Sequence, residues 1–416
     1  MPAGRAAGSA GSRHNLRVFT EYGAPGAAVL GPSNPKTKDP RMNAPKIHEA
    51  RLFQPGRIGC IDIANRIVMA PLTRCRADEA AGDVPGSDIN VEYYRQRSGA
   101  GLIISEGTQI SPRGKGYMAT PGIYSDAQVE GWKAITQAVH QAGSKMLAQI
   151  WHVGRISHPE LSGGLQPFAP SALAPEGVVA YTHQGKRDIP VPLAMSVEQI
   201  AEVVGEFRRA AANALRAGFD GVEIHGANGY LIDQFLRDGT NRRDDAYGGS
   251  VAARCRFALE IVDAVVAEIG AARVGIRLSP LTPFNAISDS HPQATFGHLI
   301  EQLDQRGVAF IHMIEGSTGG SRDLPGFDYA TARKSFRGAY IANNGYDRAM
   351  AIEAVESGRA DAISFGRAFI ANPDLPLRLR RDTALNQPDP QSFYTPGPAG
   401  YTDYPALDLD EQATEA

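Results

Sequence analysis

His225, Asn228 and Tyr230 crowd into one short stretch, Gly221-Val222-Glu223-Ile224-His225-Gly226-Ala227-Asn228-Gly229-Tyr230. The stretch begins as an apolar strand, Val222 to Ile224, and ends in a glycine-loosened loop. An imidazole, a carboxamide and a phenol at one strand tip can hold the oxygen of a polarised small molecule and hand it a proton. Local capping of a buried strand end would account for any one of these residues alone. It does not account for the trio followed by Asn241-Arg242-Arg243-Asp244-Asp245-Ala246-Tyr247-Gly248-Gly249-Ser250.

Other polar groups close runs that read as strands. The first such run ends in Met69-Ala70-Pro71-Leu72-Thr73-Arg74 and the second in Ser105-Glu106-Gly107. The third carries Gln149 and Trp151, and the fifth carries Arg277. A guanidinium inside a strand is costly unless it meets an anion or strong acceptors. It could pair with an internal acid such as Glu223, or hold a delocalised negative charge. The second is favoured, because Gln149 should face the same cavity. The loops after the last two runs, Ala342-Asn343-Asn344-Gly345-Tyr346 and Phe365-Gly366-Arg367-Ala368, combine glycine-exposed backbone amides with a guanidinium. That combination suits a phosphomonoester.

The elements that must position these groups follow from apolar pattern. Eight short apolar runs begin at Ile67, Leu102, Met146, Val222, Val274, Phe310, Tyr340 and Ala362. Helical patterns lie between most of them. Ser196-Val197-Glu198-Gln199 is a capping box, followed by a stripe of Ile200, Val203, Val204, Phe207, Ala211, Ala214 and Leu215 that Gly218 stops. Ser125 to Gln128 starts another, with Val129, Trp132, Ile135 and Val139 as the stripe and Gly143 as the stop. Further helices are expected over Val251 to Ile269, Thr295 to Arg306 and Tyr346 to Ser357. This rhythm predicts an α/β fold, a (β/α)8 TIM barrel. A doubly wound sheet would want a GxGxxG turn after its first strand, and none is present. The Pro- and Gly-rich segment from His152 to Leu193 is too long for a plain connection, so it is read as an insertion after strand 3, over the barrel mouth.

The chain has 416 residues, 43% of them hydrophobic, and a formal net charge of −3. That bounds a large core and offers no basic field for nucleic acid. No apolar run is long enough to span a bilayer. Cys60, Cys75 and Cys255 are too few and too scattered for a disulfide framework, which favours a reducing, cytoplasmic location. His152 and His158 have no acidic partner between them, and no Cys/His cluster suggests a metal. Residues 1–46 show no apolar period and no secretory h-region, and are expected to be a disordered or non-native extension, with Met42 a candidate start. The barrel is expected over 47–405 and a loose tail over 406–416.

No lysine lies at the C-terminal end of any of these strands, so Schiff-base chemistry is disfavoured. Neither a GxSxG elbow nor paired inward carboxylates for glycoside hydrolysis is evident. What remains points to a bound cofactor doing the electron chemistry.

On these residues the chain resembles the Old Yellow Enzymes, FMN-dependent ene-reductases, over about Leu52 to Pro405. The blocks that carry the resemblance are Asn65 to Arg74, Gln149 to Arg155, Gly221 to Tyr230, Arg242 to Ser250, Gly366-Arg367 with Asn372 to Leu375, and Gly400 to Pro405. The resemblance implies that Pro71, Thr73 and Gly107 flank the isoalloxazine. Gln149 would bond its pyrimidine edge, and Arg277 would stabilise negative charge at N1 of reduced flavin. Asn343, Asn344, Gly345, Gly366 and Arg367 would take the phosphate. His225 and Asn228 would bind a carbonyl or nitro oxygen of the substrate, Tyr230 would donate the proton, and Trp151 and Tyr394 would shape the pocket. The His/Asn pair with Thr73 resembles one branch of the family rather than the branch with two histidines and a cysteine near the flavin. NADPH or NADH would be the reductant, small activated alkenes the substrates, and a monomer or homodimer the assembly. Asn344 departs from the glycine common in relatives, a place where asparagine tolerates positive φ. The alternatives are a flavin-barrel dehydrogenase of another class, which would carry iron–sulfur cysteines and a further nucleotide domain, and a non-redox barrel.

Overall fold

Strands that are buried on both faces read as short continuous apolar runs, and the runs at Ile67 through Ala362 all become barrel strands. In the computed structural model, which describes residues 50–408, they are β1 (Ile67–Met69), β2 (Leu102–Ile104), β3 (Lys145–Trp151), β4 (Gly221–Gly226), β5 (Val274–Leu278), β6 (Phe310–Ile314), β7 (Ala339–Asn343) and β8 (Ala362–Phe365). Each pairs in parallel with the next. β8 closes on β1 through Ile363↔Ile67 and Phe365↔Met69. The outer ring contains α1 (Asp88–Gln96), α2 (Asp126–Gln141), α3 (Val197–Arg216), α4 (Val251–Ile269), α5 (Pro292–Gln305), α6 (Tyr329–Lys334), α7 (Arg348–Glu356) and α8 (Leu375–Arg381). The (β/α)8 expectation holds.

The helices start where their caps dictate. Ser125 Oγ accepts from the Gln128 amide at 3.3 Å and Ser196 Oγ from the Gln199 amide at 3.3 Å. Each such cap stabilises its helix by about 1 kcal/mol. On α3 the face that turns inward is Ile200, Val203, Phe207, Ala210, Ala211 and Ala214, while Val204 and Leu215 pack at its margin. Two helix starts differ from the sequence reading. α5 begins earlier, at Pro292, whose fixed φ suits a first turn. α7 begins at Arg348, not Tyr346, because Asp347 caps it and the Tyr346 hydroxyl donates to Glu315 Oε2 at 2.7 Å.

Two features were not anticipated. An antiparallel hairpin, Gly56–Ile58 with Ile61–Ile63, sets Ile58, Ile61 and Ile63 against Val68, Leu102, Leu147, Phe310 and Ile341 and plugs the barrel floor. The insertion after β3 also folds: Val179–Thr182 pairs antiparallel with Gly185–Asp188, and Phe168–Ala169 pairs parallel with Leu193–Ala194. The N-terminal extension 1–46, its candidate start at Met42, and the tail beyond residue 408 lie outside the described residues.

Side chains alternate along the barrel strands, so the interior changes character with height. The lower layer is apolar, with Val68, Leu102, Leu147, Phe310, Ile341 and Ala362. Two residues beyond Leu147, Phe310 and Ala362 stand the polar Gln149, His312 and Ser364, and Glu223 of β4 joins them, all buried. Above these, at the C-terminal mouth, stand Trp151, His225, Arg277 and Asn343. The β4–β5 register makes His225 and Arg277 direct neighbours.

Candidate functional site

The β4 strand ends in a turn that only certain residues can make. Asn228 has φ +59° and Gly229 φ +73°. A Cβ on Gly229 would lie 2.6 Å from the Phe284 carbonyl oxygen, so no side chain fits there. The turn is tied down by Asn228 N–H donating to Ser279 Oγ at 2.9 Å and Gly229 N–H donating to Asp233 Oδ2 at 2.9 Å. It delivers Tyr230 to the start of a short helix, Leu231–Leu236.

Each member of the trio has its hydrogen-bonding role set by a neighbour. The Ala227 amide donates to His225 Nδ1 at 3.3 Å. Nδ1 is therefore the acceptor and Nε2 carries the proton. Burial, reinforced by the Arg277 charge, pushes the imidazole pKa well below its ordinary value, so the ring is neutral. Thr318 Oγ1 donates to Asn228 Oδ1 at 2.7 Å, which leaves the Asn228 amide nitrogen to donate elsewhere. The Tyr230 hydroxyl lies 2.8 Å from that of Tyr117. Burial raises its pKa to about 12, with hydrogen bonds from Tyr117 and Asn285 working the other way. The rings lock together: Trp151 stacks on His225 with centroids 5.9 Å apart and planes 8° apart. Tyr230 meets both edge-on at 5.0 Å. The insertion's Ala180 and Ile189 pack on Trp151 and Tyr230, so the hairpin forms part of the cavity wall.

Beneath lies a polar floor. Arg277 donates to Asn343 Oδ1 at 3.0 Å, and its Nε is buried without a partner. Glu223, the less favoured candidate partner of Arg277, is otherwise engaged: Oε1 accepts from Gln149 Nε2 at 2.8 Å and Oε2 from His312 Nδ1 at 2.7 Å. Gln149 is thus left with its carbonyl oxygen as a free acceptor. A buried guanidinium with spare donors beside a free amide acceptor calls for a ligand that is both electron-rich and N–H-bearing. The pyrimidine edge of a flavin has that chemistry, so the residues present fit FMN.

The phosphate end is only partly as expected. Asn344 adopts φ +104° and Gly345 φ +65°. Asn344 takes the glycine-like conformation by donating its amide to the Glu315 and Ser317 carbonyls at 2.7 and 2.9 Å. Asn343, by contrast, spends its side chain on Arg277 and on the Ser364 carbonyl, so only its backbone faces that loop. Gly366 and the exposed Arg367 follow β8 on the same rim. Arg322 is an addition that spacing did not reveal. Its Cδ lies 4.0 Å from where a Gly345 Cβ would be, and its guanidinium sits 3.9 Å over the Tyr346 ring.

Pro71 and Thr73 line the loop after β1, half-buried. Gly107, after β2, admits no side chain because its Cβ would meet the Trp151 ring at 2.7 Å. Tyr394 is half-buried and close enough to raise the pKa of both Tyr230 and Tyr117. Thus the residues singled out in the sequence lie on strands, strand ends and loops at the C-terminal half of the barrel, Gln149 one layer below the mouth, and Tyr117, Thr318 and Asn285 join them. These three come from loops far apart in the chain and carried no local signal.

Glu106, next to Gly107, is fully buried, and burial lifts its carboxyl pKa from 4.5 to about 7. A raised folded-state value means the associated stability is greatest below pH 4.5 and is lost as pH climbs through 7. Denaturant titrations should show wild type losing roughly 2–3 kcal/mol relative to Glu106→Gln between about pH 5 and pH 8.

Comparison with known proteins shows the family. The sequence profile of the NADH:flavin oxidoreductase / NADH oxidase family matches residues 51–386. A protein of Leishmania infantum named "probable flavin mononucleotide-dependent alkene reductase" is 45% identical over 361 residues, covering 86% of this chain and 97% of that one. Morphinone reductase, solved in complex with tetrahydroNAD, superposes with a TM-score of 0.81 at 46% identity, covering 86% of this chain and 98% of that one. The old yellow enzyme homologue from Zymomonas mobilis gives 0.82 at 45%, covering 86% and 99%. The chain belongs to the NADH:flavin oxidoreductase / NADH oxidase family, the Old Yellow Enzymes, and is an FMN-dependent oxidoreductase.

Proposed function

We propose that the site reduces the activated C=C bond of α,β-unsaturated carbonyl or nitro compounds, with His225 and Asn228 as the oxygen clamp and Tyr230 as the proton donor. The observation that carries this reading is the fixed donor pair. The Ala227 amide forces His225 to present Nε2–H, and the Thr318 hydroxyl forces Asn228 to present its amide nitrogen. Two neutral donors delivered by one strand end and its turn suit a carbonyl or nitro oxygen and would stabilise the charge that develops on it, by roughly 3 kcal/mol per donor. Tyr230 stands beside them as an intact phenol and delivers its proton to the α-carbon once that carbon carries charge.

When bound, FMN supplies the hydride for the β-carbon and recovers one from NADPH or NADH. Gln149 and Arg277 are the residues to hold its ring, with Pro71, Thr73 and Gly107 along the edge. Backbone at Asn343, Asn344 and Gly345, with Gly366 and Arg367, serves its phosphate. Trp151 and Tyr394 wall the pocket and exclude water.

No helix among the described residues is long and apolar enough to cross a membrane. Cys60, Cys75 and Cys255 are all free thiols, which supports a cytoplasmic location. We take the enzyme to act as a monomer or homodimer on small molecules, without nucleic acid.

Purified protein should show a yellow visible absorption that NADPH or NADH bleaches under nitrogen. One equivalent of an enone or nitroalkene should then restore the colour. A colourless protein that takes up no added FMN overturns the reading.

A further inference from the structure

A hydrogen-bonded line of side chains crosses the barrel interior directly below the site. Gln149 Nε2 donates to Glu223 Oε1 at 2.8 Å; Glu223 Oε2 accepts from His312 Nδ1 at 2.7 Å; His312 Nε2 lies 2.6 Å from Ser364 Oγ. The line uses β3, β4, β6 and β8, and the side chains of Glu223 and His312 are wholly shielded from solvent. The proton transfer assigned to Tyr230 does not need it. Four polar residues in an otherwise apolar core are costly to bury unless every bond is made, so their placement calls for a role.

We propose that Glu223 is a positioning residue that sets the reduction potential of the bound FMN. The inference rests on FMN occupying the site as read above. Two effects combine. By accepting from Gln149 Nε2, Glu223 fixes that amide with its oxygen toward the ring. As a fixed anion in the shell below, it also offsets Arg277, which makes no ion pair among the described residues and keeps a buried Nε unbonded. Arg277 favours whichever redox form of the ring carries more negative charge. Glu223 moderates that preference, because Coulomb interactions at this depth are weakly screened.

Glu223→Gln isolates the charge. The new amide oxygen still accepts from Gln149, and the new NH₂ donates to His312 Nδ1. His312 then changes tautomer and donates through Nε2 to Ser364 Oγ, so every hydrogen bond survives. The measurement is an anaerobic equilibrium titration of the holoenzyme against a redox dye of known potential. The reduced-to-oxidised ratio of bound FMN at a fixed potential should rise about tenfold in Glu223→Gln, an upward shift of about 30 mV for a two-electron couple. His312→Gln keeps the carboxylate and its bond from Gln149 and should leave the ratio within a factor of about two.

A Glu223→Gln protein that binds FMN stoichiometrically with an unshifted ratio overturns the proposal. So does a tenfold rise in His312→Gln, which can be read even if Glu223→Gln does not fold. Failure of wild type itself to bind FMN would instead overturn the functional reading, so the two failures are distinguishable.

Discussion

Tyr230→Phe should slow single-turnover alkene reduction on the order of 10²–10⁴-fold while leaving bleaching by NADPH or NADH nearly unchanged, as read by stopped-flow absorbance. The substitution removes the only hydroxyl that the β4 turn delivers beside the His225–Asn228 clamp, and it leaves the ring's edge-on packing against Trp151 and His225 in place. A phenol with a pKa near 12 gives up a proton only to a carbon already bearing charge. Loss of the donor is therefore felt in the step that protonates carbon, not in the step that refills the cofactor. The same value fixes the pH dependence. The acid form stays fully populated until the pH nears 12, and His225 stays neutral down to well below its ordinary pKa. The wild-type alkene step should accordingly be flat across neutral and mildly alkaline pH. An equal loss in both half-reactions of Tyr230→Phe would remove Tyr230 from the role.

His225→Ala and Asn228→Ala form the second large effect. Each deletes one donor to the developing oxyanion and should lower alkene turnover on the order of 10²–10³-fold. FMN content should stay near stoichiometric, because the groups placed under the ring, Gln149 and Arg277, do not depend on either side chain for their bonds. Both variants should be assayed for bound flavin by absorbance after denaturation. Turnover that survives the loss of both donors would mean that the substrate oxygen sits elsewhere. The double variant should fall short of the product of the single losses, since the two groups hold one atom together.

How much of this was legible before any coordinates depends on where each signal resides. The barrel strands were visible because burial on both faces leaves an apolar run, and the capped helices because serine and glutamine sit three apart. The trio at His225 was visible because one turn carries all of it. The insertion's hairpin escaped notice because Gly185 to Asp188 is polar and mostly exposed, a pattern with no inward face to report. Tyr117 and Thr318 escaped because each meets its partner only across the mouth, 113 and 90 positions away in sequence. Glu223 stands out in sequence as an acid inside an apolar strand, and its pairing with Arg277 is the less favoured of the two readings of that arginine, but nothing in the sequence says what does hold it. Only the register of β4, β5 and β6 shows that His312 holds it instead.

The loop that carries Thr73 continues into Arg74 and Arg76, whose guanidiniums are buried and whose acceptors lie near the other end of the chain. Arg74 donates to the Phe393 and Gly400 carbonyls at 3.1 and 2.7 Å, and Arg76 to those of Ser392, Gly397 and Ala399 at 3.1, 2.9 and 3.2 Å. Tyr401 seals the seam by lying flat on Tyr93 at 4.0 Å. Cutting the polypeptide at residue 386, where the match to the family profile ends, would remove the acceptors of two buried cations and unseat Thr73 at the cofactor's edge. The final stretch is therefore a keystone for the catalytic mouth: fragments lacking it should come out pale rather than yellow.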